Sequence, residues 1–118
     1  MIEEINGIIS NMKNELPKEK FNSEVVNLFE SMKAVVYFLR DWVPTYVGNT
    51  ECESYKNVVF AMENINLCAN KYGYKNIMNF DKNNWRTVLK CASDFSESSF
   101  EFFMNESGDF DELSTTRL

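Results

Sequence analysis

Between Val25 and Val43 the apolar residues Val25, Leu28, Phe29, Met32, Val35, Val36, Leu39, Trp42 and Val43 recur at three- and four-residue steps. That spacing keeps one wide stripe on a helix through nearly five turns, and a stripe of that width needs other elements packed over it. It therefore predicts a central core helix and demands that the rest of the chain supply its cover. Asn22 or Ser23 is placed to cap the helix, and Pro44, which disfavours helical geometry in the residue before it, marks the predicted end.

The cover is legible on both sides. Ile2, Ile5, Ile8, Ile9 and Met12 predict a short amphipathic helix in the first dozen residues, and the polar stretch Lys13 to Phe21, with Pro17 fit for a loop or the first turn of the next helix, marks a break before the central helix. After a connection containing Gly48 and Asn49, the residues Tyr55, Val58, Val59, Met62, Ile65, Ala69 and Tyr72 restore the helical stripe. Gly73 then offers the left-handed conformation that ends a helix at little steric cost. Tyr74, Ile77, Met78 and Phe80 give the next loop enough apolar content to fold onto the core. Asp81, Asn83 or Asn84 is placed to cap a fourth helix lined by Trp85, Val88, Leu89, Ala92 and Phe95, which Ser99, Phe100 and Phe103 can extend with or without a break near Ser96.

No strand-like alternation persists and no period of 20 to 50 residues repeats. The expectation is an all-α, compact single-domain bundle of four main helices plus short ones over residues 1–104. Residues 105–118, ESGDFDELSTTRL with the preceding Asn105, are expected to form a loose acidic tail. With 118 residues, 44% of them hydrophobic, one core is affordable and two are not.

Composition removes several function classes. Histidine is absent, which takes away the commonest general base and metal ligand. Cys52, Cys68 and Cys91 are odd in number and widely spaced, unlike a disulfide framework or a tetrahedral zinc site. Cys68 and Cys91 fall on or beside apolar stripes, where cysteine acts as a small hydrophobe. Cys52, in a polar connection, is the more reactive candidate, yet Glu51 and Glu53 beside it oppose a thiolate. A formal charge of −6 with dispersed cations disfavours nucleic acid and acidic lipid. The apolar runs, broken by Lys33, Arg40 and Asp41, are shorter than the roughly 20 residues of a membrane span, and the acidic N-terminus is unlike a secretory signal, so the expected setting is cytoplasmic.

The carboxylate groups Glu3 with Glu4, Glu51 with Glu53, and Asp109, Asp111 and Glu112 read as solvated surface, with no calcium-loop spacing among them. No catalytic residue, cofactor or metal is expected, and the partner-binding residues are left unassigned. Trp85 and Trp42 are candidate anchors by residue type but core residues by stripe position. Tyr37, Tyr46, Tyr55, Tyr72 and Tyr74 include no evident modification site. The C-terminal Ser114-Thr115-Thr116-Arg117-Leu118 fits the short pattern that PDZ domains take as an added strand.

Together the segments resemble a calponin-homology domain. The resemblance rests on Ala69, Lys71, Gly73, Ile77, Met78, Asp81 and Trp85-Arg86-Thr87-Val88-Leu89, on Ser31 to Val47 as the family's central buried helix with a proline-containing exit, and on Phe60-Ala61-Met62-Glu63-Asn64-Ile65 as in calponin-like and Vav-like members. Lys33-Ala34 stands where members usually carry an acidic or amide residue followed by glycine. The resemblance implies a non-catalytic interaction module of a cytoskeletal or signalling protein. Such a module would regulate or recruit actin-linked partners, as the single N-terminal domain of a Vav-type Rho exchange factor does, with weak or absent direct actin binding. The alternative is a stand-alone acidic helical inhibitor or decoy that blocks a target surface.

Overall fold

The computed structural model describes residues 2–46 and 48–95. Among them are four helices and no strand: α1, Ile2–Glu15; α2, Lys18–Tyr46; α3, Glu53–Lys71; and α4, residues 85–95. The all-α class follows as expected from the helical spacing. The predicted continuation past Ser96 through Ser99, Phe100 and Phe103, the limit at Met104, the acidic tail and the C-terminal Thr116 and Leu118 lie outside the described residues.

Two predicted boundaries of the central helix are corrected. It begins at Lys18, not after Asn22 or Ser23, because Pro17 serves as the entry: its carbonyl accepts the Phe21 N–H at 2.8 Å and its own missing N–H costs nothing there. Asn22 is instead 8% exposed inside the helix. Nor does Pro44 end it, since α2 runs on to Tyr46. The proline removes one intrahelical bond, the one to the Arg40 carbonyl four residues back, and only two helical residues follow it.

Helix α2, 29 residues and about 44 Å long at 1.5 Å per residue, is the spine. Val25, Met32, Val35, Leu39 and Trp42 on its stripe have no exposed surface, and neither do Ile5, Ile8, Ile9 and Met12 of α1 or Ala92 and Phe95 of α4. The ring of Phe95 stacks on Phe29 with centroids 5.2 Å apart, fixing α4 against the middle of α2.

Helix α3 runs antiparallel to α2 in strict register. Ser54 donates its hydroxyl to Asp41 at one end, and Lys71 lies 3.9 Å from Glu24 at the other. Asp41 follows Glu24 by 17 residues and Lys71 follows Ser54 by 17, so the two helices stay side by side over about 26 Å. At the upper end Trp42, Tyr55 and Phe80 form a three-ring cluster with centroids 5.1 to 5.9 Å apart. The Trp42 indole N–H donates to the Asn49 carbonyl at 2.9 Å and ties the connection between the helices to the core.

Gly73 stops α3 as its position predicts. Its φ is +92°, the Gly73 N–H reaches the Asn70 carbonyl and the Tyr74 N–H reaches the Ala69 carbonyl, the paired bonds of a Schellman stop. The loop after it is folded against the core, with Met78 4% exposed and Tyr74, Ile77 and Phe80 packed beside it. Asn66 of α3 anchors it by three bonds, donating to the Met78 carbonyl at 2.7 Å and accepting the Ile77 and Met78 N–H groups at 3.0 Å each. Asn84 precedes α4 and accepts the Val88 N–H at 3.2 Å on its carbonyl, while its side chain turns back to the Asp81 N–H and the Asn79 carbonyl.

Candidate functional site

The residues that α3 leaves in solvent are more informative than those it buries. Phe60 and Leu67 are 64% and 66% exposed, among the largest apolar exposures on the described surface. They lie seven residues apart, and with Asn64 and Lys71 they follow the four-three-four spacing of a single helical face. That face borders the seam with α2. There Glu24, Asn27, Leu28 and Ser31 of α2 oppose Asn64, Leu67, Cys68 and Lys71 of α3 around an open groove of about 440 Å³.

The groove has an apolar floor and a polar, charged margin. Leu28 is 2% exposed at its base, and the partly buried Cys68 lies beside it. Burial pushes the Cys68 thiol up from 9.0 to about 11, Glu24 pushes in the same direction and Lys71 opposes both. A thiol raised in this way is a poor nucleophile near neutral pH. Lys71 also lies over the Tyr72 ring, 5.6 Å from its centroid, which holds the ammonium at the groove's end beside Glu24.

A second depression of about 420 Å³ lies on another side of α2, lined by Lys33, Val36, Tyr37, Arg40 and Asp41. Tyr37 is 69% exposed there and packs edge-on against Phe38 at 5.1 Å. Asp41 is committed to Ser54.

The residues singled out by sequence are dispersed. Trp42 is fully buried and holds the inter-helix connection. Trp85 is half-buried, with the Arg86 guanidinium 4.4 Å from its ring centroid covering one face. Tyr72 is buried, Tyr55 and Tyr74 are half-buried, and Tyr46 joins Tyr37 in solvent. Cys52 is half-buried at the entry to α3, where its thiol donates to the Asn49 carbonyl at 3.3 Å. Cys91 is half-buried on α4. Glu3, Glu51 and Glu53 are exposed, and among the described residues no three cysteine, aspartate or glutamate side chains converge as metal ligands would. Asp109, Asp111 and Glu112 lie outside the described residues. No described helix is long and apolar enough to cross a membrane.

Phe60 and Leu67 were within reach of sequence reasoning. Both are large apolar residues off the buried stripe of α3 and one heptad apart, a pattern that core packing does not explain. No protein-family model, no curated protein and no solved structure matches the chain.

Proposed function

We propose that this chain is a non-catalytic protein-interaction module that docks a partner on the outer face of α3 and the groove it shares with α2. The observation that carries this reading is the pair Phe60 and Leu67. A large aromatic and a leucine held in solvent at heptad spacing, beside a groove with a leucine floor, provide the apolar centre and polar rim of a protein-binding surface. Neither depression gathers the perturbed acid–base pair that a catalytic pocket needs. The one strongly shifted group there is a thiol moved away from reactivity.

Within that reading, the module is calponin-homology-like and serves a cytoskeletal or signalling protein in the cytoplasm, recruiting actin-linked partners without gripping actin tightly itself. The long central α2 and the segment from Gly73 to Asp81 that packs on the core and leads into α4 support it. Cosedimentation tests the proposal. The chain should pellet little with purified filamentous actin and more with actin carrying its associated proteins, and the Phe60→Ser/Leu67→Ser variant should lose that gain. No pelleting in either case, or equal pelleting of the variant, would refute it.

A further inference from the structure

Resting on that docking face, we infer that the occupant of the α2/α3 groove is a basic amphipathic helix of about three turns. Length comes first. The open part of the seam is lined by residues 24–31 of α2 and 64–71 of α3, about two turns of each helix, and Phe60 extends the exposed apolar face about one turn further, so a helix of about three turns spans it. Two antiparallel helices leave a furrow along such a seam that a third helix can fill with side chains at three- and four-residue steps.

The apolar anchors match that shape. Phe60 and Leu67 are about 10 Å apart along α3, two helical turns, so a docked helix meets both with residues one heptad apart on its own face. Leu28 of α2 lines the groove opposite Leu67.

Charge then selects the sign of the partner. Glu24, Glu30 and Lys71 line the groove, and because Lys71 lies 3.9 Å from Glu24 and offsets it, Glu30 carries the lining's net negative charge. Glu63, one turn before Leu67, adds an exposed carboxylate next to the apolar pair, and the chain as a whole carries −6. An acidic helix would meet like charge on both margins. A helix with lysine or arginine flanking its apolar stripe would meet opposite charge there and would be steered toward the protein before contact.

The test uses the full chain and two labelled helical peptides with the same leucine pattern, one with lysine and one with glutamate at the polar positions. Fluorescence anisotropy should show the lysine peptide binding at least about tenfold tighter, with affinity falling as salt rises. Leu67→Ser, which changes no charge, should weaken it about tenfold, and Glu30→Lys/Glu63→Lys should narrow the preference for lysine. The remote Glu15→Gln should change nothing. Equal binding of both peptides that still depends on Leu67 would overturn the charge preference and leave the docking face standing. Lysine-peptide binding indifferent to Leu67 and Phe60 would be attraction between net charges alone and would overturn the groove as its site. Failure of both peptides to bind would overturn the inference, while the actin-extract experiment judges the docking face separately.

Discussion

Removing the Asn66 side chain should loosen the loop that closes the core. One amide makes three bonds to the Ile77–Met78 backbone, and Met78 is 4% exposed, so Asn66→Ala strands two N–H groups and a carbonyl where water reaches them poorly. With a net of about 0.5–1.5 kcal/mol for each bond and incomplete additivity among neighbours, the loss should be about 2–4 kcal/mol. For a domain of this size that lowers the melting temperature by roughly 10–20 °C. Asn66→Asp keeps the two accepted bonds and loses the one donated to Met78, so it should cost less than alanine. Urea unfolding followed by tryptophan fluorescence measures both, and an unchanged slope would confirm that stability alone has moved. Hydrogen exchange at the Ile77 and Met78 amides should accelerate in the alanine variant before global unfolding. An alanine loss under about 0.5 kcal/mol, or aspartate costing more than alanine, would refute the anchoring role.

Gly7 faces the Tyr74 phenol, and a Cβ added there would stand 2.8 Å from the ring carbon bearing the hydroxyl. Gly7→Ala should therefore destabilise despite the roughly 1 kcal/mol it gains in helix propensity, with Tyr74→Ala in the same background relieving the clash in a double-mutant cycle of melts. Phe95→Ala removes the ring stacked on Phe29 and should cost about 3–5 kcal/mol in urea unfolding. Cys68, raised from 9.0 to about 11, should react with iodoacetamide at pH 8 about a hundredfold more slowly than a thiol at the reference value, as mass spectrometry of the labelled peptide would show. Because the folded thiol holds its proton longer than the unfolded one, its contribution to stability is complete below pH 9.0 and is lost as pH rises through about 11, which urea midpoints at pH 8 and 10.5 would reveal. Phe60→Ser and Leu67→Ser, at 64% and 66% exposure, should each leave stability within about 0.5 kcal/mol by the same assay.

The residues of the core were readable because burial and helical period are coupled. A side chain facing the interior every three or four positions must be apolar, and the pattern from Val25 to Val43 says so without reference to any neighbour. The stop at Gly73 was readable for a similar local reason, since only the backbone of residues 69–74 decides it. The ends of α2 were not. Pro17 and Pro44 are helix punctuators whose effect depends on which turn they occupy, and packing along α2 carried the helix past both expected limits.

The candidate site divides along the same line. The sequence by itself determined that the chain would build an all-α core and that histidine-based chemistry was closed to it, because residue type and period are local properties. It also held the off-stripe pair Phe60 and Leu67, without saying what lay beside them. Only the tertiary structure decided that, by setting α3 against α2 in a register that brings Glu24 to Lys71 and Leu67 over Leu28. A groove belongs to two helices at once. Its width, floor and charge come from pairs of residues some 40 positions apart in the chain, and no local pattern encodes which of those will meet.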